Sequence, residues 1–401
     1  MRILVITNLY PNPLQPQRGA ANRQHFRALA EDHEVKIVSP ISWIDELQAR
    51  WRGAHAIPRD RRCHVDGIDV VHPRYYYPPG VLRSRYGRLL LRAIRSDVLE
   101  VARELQPDVV LGSWAYPDGY AATELANELN VPSAVAVLGS DVNLLNQYPT
   151  RRHETVKALR RADTVITVSK DLAGKVIDLG VGASRVAVVY RGVDRDRFYP
   201  GSQRDAQAEL GMVEADPALL FIGNLVPVKA IDMLVKACGL LAERLPRMQC
   251  HIVGDGPLRQ QLSSLAAELS LSAKVRFHGV IDHDRLPTWY RAADLVVLPS
   301  MAEGVPNVLL ESIACGRPYV ASNTGGIPEI SRHGGCSLVP PGDSRALAEA
   351  IYSKLMDRSV PTASDLPVGS WKEAARSLAA ALTRGGANFA DIPATQERAI
   401  A

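Results

Sequence analysis

Short runs of Val, Ile and Leu recur along the whole chain, separated by polar segments of helical length. RILVIT, EVKIVSP, DVVLGS, SAVAVLGS, TVITVS and RVAVVYRG occupy the first half, and ALLFIGN, QCHIVGDG, KVRFHGV, DLVVLPS and PYVASN the second. Runs that are apolar throughout, rather than alternating, predict parallel strands buried on both faces. The stretches between them, such as RQHFRALAED, DGYAATELANELN, KAIDMLVKACGLLAERL and PLRQQLSSLAAEL, predict amphipathic helices covering a sheet. Both halves therefore read as βα repeats, and the expected fold is α/β with two Rossmann-like, doubly wound domains. The seam is expected near GVDRDRFYPGSQRDAQAEL, where strand pattern gives way to charge, glycine and proline. The expected domains are residues 1–195 and 196–365, followed by a helix over 366–383 that contains SWKEAARSLAAAL and a flexible Ala/Gly-rich tail over 384–401.

The length of 401 residues agrees, being about twice what one core usually serves. A hydrophobic fraction of 46% against 22% charged residues excludes a disordered chain, and 29 Gly with 27 Pro in no repeating period exclude collagen. No run approaches the ~18 apolar residues that a membrane helix needs. MRILVITNLYPNP holds one strand-sized run rather than a signal-peptide core, so a cytoplasmic location is expected. Cys63, Cys238, Cys250, Cys315 and Cys336 have no CxxC spacing and mostly lie in apolar runs, which predicts reduced thiols rather than a disulfide or zinc framework.

The net charge of +4 is unevenly spread, with an excess of six positive charges in residues 1–200 and a deficit of two in the rest. RWRGAHAIPRDRR, from Arg50 to Arg62, carries part of it. VLRSRYGRLLLRAIRS places Arg85, Arg88, Arg92 and Arg95 three and four apart beside Leu82, Tyr86, Leu89 and Ala93, a basic stripe next to an apolar one if helical. Two readings stand: a solvated face, or a surface that docks on anionic lipid or an acidic acceptor. No aromatic-rich basic repeat accompanies the charge, so nucleic acid is not an expected partner.

Ligands of open α/β sheets bind at the carboxyl ends of the strands, so the chemistry is sought in the loops that follow them. A Gly-x-Gly-x-x-Gly fingerprint is absent after the first strand, where ITNLYPNPLQPQRGAANRQ offers Gly19 alone; this argues against a nicotinamide-dependent oxidoreductase. The most informative stretch is residues 293–330. Glu303 follows a strand, Gly304, Val305 and Pro306 follow it, and a helix expected from Asn307 carries Glu311 one turn in. Free N–H groups at that helix start favour a phosphate, one carboxylate can accept from sugar hydroxyls, and the other from a ribose. Gly223 to Lys229, the Gly254–Asp255–Gly256–Pro257 turn and the Thr324–Gly325–Gly326 turn lie on further loops after strands, with Lys229 a mobile point charge for a diphosphate. Each alone has a bland equivalent: a cap, a lysine before a helix, a tight turn. Their order is the signal. Asp194/Asp196 and Asp282/Asp284 fall in the linker and a strand-to-helix turn and the histidines do not cluster, so no metal is expected. Ser113 and Ser140 have no recognisable histidine partner for a hydrolase triad.

The ordered set GNLVPVKAIDML, VGDGPLR, VRFHGVIDHDRLPTWYRAADLVVLPS, EGVPNVLLE and ASNTGGIPEI resembles the retaining glycosyltransferases of family 4, whose architecture is GT-B, two facing Rossmann-like domains with a cleft between them. LYPNPLQPQRG, SWAYPDGYAA, LGSDVNLL, ADTVITVSK and YRGVDRDRF are similar to the subgroup of teichuronic-acid and exopolysaccharide biosynthesis. The resemblance spans about residues 1–355 and is most specific over 220–330. It implies a C-terminal donor domain in which Lys229 holds the diphosphate, Glu303 the hexose hydroxyls and Glu311 the ribose. Gly304, Val305, Pro306, Asn307, Val308 and Leu309 would bind sugar and phosphate through backbone N–H groups. Gly254, Asp255, Gly256 and Pro257, with Phe277 and Val280, would flank the base. From the acceptor domain Gly19 would approach the diphosphate and Asp141 the reacting sugar, giving Glu303, Lys229 and Asp141 as the implied catalytic set. The helix in SWKEAARSLAAAL would cross back to the first domain.

The chain departs from that pattern at named places. Asn224 stands where the family often has arginine, giving a hydrogen bond with less charge assistance. Leu111, Ser113 and Leu138 stand where it often has histidines. The expectation is a hexosyl transfer with retention from a nucleoside-diphosphate sugar, UDP rather than GDP, to a glycan or lipid-linked glycan in bacterial cell-surface polysaccharide biosynthesis. It needs no metal or other cofactor and takes place peripherally at the inner membrane face. The alternatives are a catalytically silent sugar-nucleotide-binding scaffold, and a transferase using GDP-mannose and a small soluble acceptor.

Overall fold

In RILVI every residue after Arg2 is buried, and the two-residue period of a strand sends Ile3 and Val5 into one core and Leu4 and Ile6 into another. A strand of this kind sits inside a sheet covered on both faces. The computed structural model describes residues 1–51, 53, 57–145, 148–212, 217–331, 335–357 and 369–384, so all but the first residue of the expected 384–401 tail lies outside the described residues.

From β1 (Arg2–Ile6) the first unit runs through α1 (Ala20–Ala30), β2 (Glu34–Val38), β3 (Ile41–Ser42), α2 (Trp43–Trp51), β4 (Arg62–Val65), β5 (Ile68–Val71) and β6 (Arg74–Tyr75). It continues with α3 (Tyr86–Leu105), β7 (Val109–Ser113), α4 (Asp118–Leu129), β8 (Ser133–Val137), α5 (Ser140–Asn143), α6 (Pro149–Arg161), β9 (Thr164–Thr167), α7 (Lys170–Asp178) and β10 (Val186–Val188). Among the described residues its main sheet has the order β10-β9-β8-β7-β1-β2-β5-β4, and its pairs are parallel except the β4–β5 hairpin. That hairpin lies outside the runs predicted as strands. Its turn is Asp66–Gly67, both at positive φ (51° and 83°), as a two-residue hairpin turn of matching twist requires.

The second unit holds α8 (Gln203–Leu210), β11 (Ala218–Ile222), α9 (Ile231–Leu241), β12 (Gln249–Val253), α10 (Arg259–Glu268), β13 (Val275–Gly279) and α11 (Leu286–Ala292). β14 (Leu295–Leu298), α12 (Asn307–Ala314), β15 (Tyr319–Ser322), α13 (Ile327–Ile330), β16 (Cys336–Val339) and α14 (Ser344–Asp357) complete it. Its parallel sheet, β13-β12-β11-β14-β15-β16, grows outward in one direction from β11 and in the other from β14. Such a reversal opens a crevice beyond the carboxyl ends of the two central strands.

The last described helix, α15 (Trp371–Arg384), returns to the first unit: Trp371, Ala375 and Leu378 share a core with Phe26 and Leu29 of α1. By its contacts the chain divides between Arg191 and Gly192, with α15 belonging to the first part. In α3, Leu90, Ile94, Val98 and Val101 pack with Leu4 and Ile6. The core face of α3 is thus this set, where each such side chain contributes about 1.5–3 kcal/mol; of the apolar residues expected beside the basic stripe Tyr86 is buried, Leu89 and Ala93 are half-buried and Leu82 is exposed. All five cysteines are free thiols; Cys63 and Cys336 are half-buried and the other three buried. Among the described residues no helix is long and apolar enough to cross a membrane, and no group of three or more His, Cys, Asp and Glu could hold a metal ion.

Candidate functional site

At the reversal of the second sheet, the loops after β11 and β14 meet. The first ends in a short 3-10 turn, Pro227–Lys229, stopped by Ala230 at φ 46° before α9 begins. The second is pinned to it where Met301 donates its N–H to the Val228 carbonyl at 2.8 Å. This brings Lys229 Nζ to 2.5 Å from Glu303 Oε1, with the side chains only 20% and 12% exposed. A cation and a carboxylate, distant in sequence and each preceding a helix, thus share one corner of the crevice.

The backbone beneath Glu303 is fixed by the Thr324–Gly326 turn. Gly326 N–H donates to the Gly304 carbonyl at 2.8 Å and Thr324 Oγ1 to the Met301 carbonyl at 3.2 Å. Gly325, at φ 57°, lies so close that a Cβ on it would fall 2.0 Å from the Glu303 carbonyl oxygen. The Thr324–Gly326 turn thus seats the Glu303 loop. Gly304, Val305 and Pro306 are buried, Asn307 and Val308 half-buried and Leu309 buried. Pro306 precedes α12 in extended conformation and no side chain caps the helix, which leaves its first turn suited to an anion.

Glu311, 8% exposed, is already engaged. Tyr290 Oη donates to Oε2 at 2.7 Å, and His283 Nε2 lies 3.3 Å from Oε1. Burial and the Glu311 charge push the Tyr290 hydroxyl well above its ordinary range, so it stays a donor. Phe198 packs edge-on against both Tyr290 and His283. Neither Tyr290 nor His283 is legible as a partner from local sequence, because the contact depends on α11 packing in the fold.

On the β12 side the Gly254–Pro257 turn is nested against the β11 loop: Leu225 N–H donates to the Asp255 carbonyl at 2.9 Å and Leu258 N–H to the Leu225 carbonyl at 3.1 Å. Asp255 and Pro257 are exposed, Gly254 and Gly256 half-buried, and Asn224 is exposed beside them. Phe277 is half-buried with the Arg259 guanidinium 5.8 Å from its ring, and Val280 is 66% exposed. Behind them His251 Nδ1 and His278 Nε2 are 3.0 Å apart and both rings contact Trp289. Burial, His278 and Arg276 lower His251 to about 4.

In the first unit Gly19 heads α1 at φ 64°, with the Leu9 carbonyl oxygen 2.1 Å from where a Cβ would be. Only glycine fits there, and loop packing alone accounts for it. Asp141 is 8% exposed, and its oxygens accept N–H groups from Ala115 (3.1 Å), Leu138 (3.1 Å) and Gly139 (2.8 Å). Burial raises it while those N–H groups pull it down. The carboxyl ties the loops after β7 and β8 together. Arg85, Arg88 and Arg92 are exposed, and Arg95 pairs with Glu128.

Residues 22–197 match the family described as Glycosyltransferase Family 4 and residues 202–366 that described as Glycosyl transferases group 1. A D-inositol 3-phosphate glycosyltransferase of Geodermatophilus obscurus is 32% identical over 365 residues, covering 86% of this chain and 72% of the relative. A protein of Bacillus subtilis named as a glycosyltransferase of teichuronic acid biosynthesis is 27% identical, covering 88% of each. Among solved structures, the sucrose-phosphate synthase of Thermosynechococcus elongatus aligns at a TM-score of 0.73 with 22% identity over 96% of this chain and 95% of that one. HepE of Anabaena in complex with UDP-glucose aligns at 0.69 with 20% identity over 99% and 98%. The two doubly wound units are those of the GT-B architecture, and the chain belongs to glycosyltransferase family 4 as a transferase acting on a nucleotide-sugar donor.

Proposed function

We propose that the protein transfers a hexose from a UDP-sugar to a glycan or lipid-linked glycan of the bacterial cell surface, with retention at the anomeric carbon and without a metal cofactor. The observation that carries this reading is the 2.5 Å approach of Lys229 Nζ to Glu303 Oε1. A nucleoside-diphosphate sugar has its phosphate and its hexose hydroxyls on either side of one C1–O bond, and here a cation for the first adjoins an acceptor for the second. In the reaction the bond from C1 to the phosphate oxygen breaks, the acceptor hydroxyl oxygen bonds to C1 on the same face, and its proton passes to the departing phosphate. The chain's own part is positioning and charge stabilisation: Lys229 and the α12 amides meet the phosphate charge as it grows, and Glu303 orients the hexose. Glu311, held in place by Tyr290 and His283, has lone pairs left to accept from the ribose hydroxyls.

Uracil is favoured as the donor's base by HepE, whose structures hold UDP and UDP-glucose, and a cell-surface acceptor by the Bacillus subtilis relative's name. Peripheral docking at the inner membrane face is supported by exposed Arg85, Arg88 and Arg92 with Val81 and Leu82, which are 58% and 53% exposed. The test is thermal stabilisation by UDP, GDP, ADP and their common sugars, with NAD and ATP as controls, followed by turnover of the donor that binds. A ligand at 100 times its Kd adds about 2.7 kcal/mol. Stabilisation by UDP and one UDP-sugar is expected. Stabilisation by GDP-mannose instead would move the donor assignment to the soluble-acceptor alternative, and a response to NAD or ATP alone would sink the reading.

A further inference from the structure

Residues 192–200, the GVDRDRFYP stretch, carry the chain into the second unit and run up to the side chains that hold Glu311. Val193 N–H donates to the Gly369 carbonyl at 3.0 Å and Val193 pairs with Ser370, so the chain's entry into this unit and its exit from it lie side by side. Farther along, Phe198 is buried, and its ring centroid lies 5.2 Å from that of His283 and 5.8 Å from that of Tyr290, edge-on to both. Rings attract at such separations, roughly 4.5–7 Å. His283 and Tyr290 are the two residues that meet the Glu311 carboxylate.

The backbone around Phe198 is gripped by the same two elements. Phe198 N–H donates to the Asp194 carbonyl at 2.8 Å. On either side of it, the Arg197 and Tyr199 carbonyls accept from the Arg291 guanidinium at 2.9 and 3.0 Å, and Arg197 pairs with Asp284. Arg291 follows Tyr290 in α11, and Asp284 follows His283 in the short turn before that helix. Each ring that meets Glu311 thus has a chain neighbour that holds the segment.

A buried carboxylate keeps its orientation only while its donors keep theirs, and a close-packed interior passes such a constraint on rather than absorbing it. We propose that Phe198 is a positioning residue for the donor: it holds His283 and Tyr290 against Glu311, so that a nucleotide whose ribose engages Glu311 also steadies the segment by which the chain enters the unit. The inference rests on the reading of Glu311 as the ribose carboxylate and adds the segment to it. Coupling of this kind is reciprocal, so that loosening Phe198 weakens the nucleotide and removing the nucleotide loosens the segment.

The full chain is titrated calorimetrically with UDP as wild type, Phe198→Leu, Glu311→Gln and the double variant. Hydrogen exchange of residues 192–200 is followed by mass spectrometry with and without saturating UDP, and Leu347→Ala, a core change in α14, is the control. Phe198→Leu should weaken UDP about fivefold and Glu311→Gln at least about tenfold, with the double variant no weaker than Glu311→Gln alone, because Phe198 acts through the carboxylate. Saturating UDP should slow exchange in the segment several-fold in wild type and in Leu347→Ala, and leave it unchanged in Glu311→Gln. A phenylalanine that only fills the core lowers stability without this pattern. Losses that multiply in the double variant, or UDP binding that leaves exchange in the wild-type segment unaltered, overturn the inference while the donor reading stands. Full UDP affinity in Glu311→Gln removes the ribose assignment and the inference with it, and absence of UDP binding to wild type removes the donor reading as well. Should Phe198→Leu fail to fold, Arg291→Gln, which releases the two carbonyls beside Phe198, carries the comparison.

Discussion

Gly325 packs directly against the backbone of Glu303, so that a Cβ on it would stand 2.0 Å from the Glu303 carbonyl oxygen. The residue proposed to orient the hexose therefore owes its backbone position to a glycine of a neighbouring turn. Gly325→Ala adds this clash to a left-handed backbone that costs about 1–2 kcal/mol for a residue with a Cβ. Turnover should fall at least tenfold while circular dichroism stays native and UDP binding changes less than turnover. Wild-type turnover in this variant would separate the turn from the site.

Lys229 and Glu303 form one partly buried pair, yet they have different tasks. Lys229→Ala should weaken UDP binding at least tenfold, about 1.4 kcal/mol, because the diphosphate loses its point charge. Glu303→Gln should lower kcat with UDP affinity nearly unchanged. Calorimetry with UDP and steady-state kinetics on both variants measure the split, and equal losses in the two quantities for both would dissolve it.

Tyr290 gives its only proton to Glu311 at 2.7 Å. Tyr290→Phe leaves a buried carboxylate short of a donor, at a stability cost of about 1.5–3 kcal/mol for a hydrogen bond to a charged group. If Glu311 serves the ribose, the donor KM should rise with little change in kcat. A fall in kcat at constant KM would place Tyr290 in the chemistry instead.

These contacts mark the limit of what the sequence discloses. The apolar runs announce the inner strands because a strand covered on both faces has no polar alternation to obscure it, and the Glu303 loop is legible because its residues are contiguous. β4 and β5 escape because an edge hairpin carries polar residues such as His64 and Asp69, although Asp66–Gly67 is a hairpin signal in plain view. The tie of Asp141 to Ala115, the partner of Glu311 on α11 and the seat under Glu303 all join segments far apart in the chain. Each glycine is visible in sequence, but whether it faces a phosphate or a neighbouring backbone is decided only by packing.

His251 is lowered to about 4 by burial, with His278 and Arg276 adding to it, against about 6.5 in an unfolded chain. The unfolded state takes up its proton first as pH falls. The stability tied to a neutral His251 is therefore full above about pH 6.5 and is lost as pH drops toward 4, up to ~3 kcal/mol. His251→Gln should be less stable at pH 7, having lost the contact with His278, but its urea midpoint should fall less between pH 7 and pH 5 than that of wild type. Parallel decline in the two proteins would show that His251 does not set the acid limb.

The four arginines of the basic stripe are not equivalent. Arg95 already pairs with Glu128, whereas Arg88 and Arg92 project from a helix whose apolar side is committed to the core. A membrane contact here would be electrostatic, about 1 kcal/mol per arginine near an anionic surface and weakened by salt. Reversing both charges with Arg88→Glu and Arg92→Glu should cut sedimentation with phosphatidylglycerol vesicles more than tenfold at low salt, since each site exchanges attraction for repulsion. Arg95→Glu should do less, because the charge removed is one that Glu128 already offsets. If neither change alters vesicle binding, while turnover on a soluble acceptor is also untouched, the stripe is a solvated face and the acceptor is brought to the enzyme by other residues.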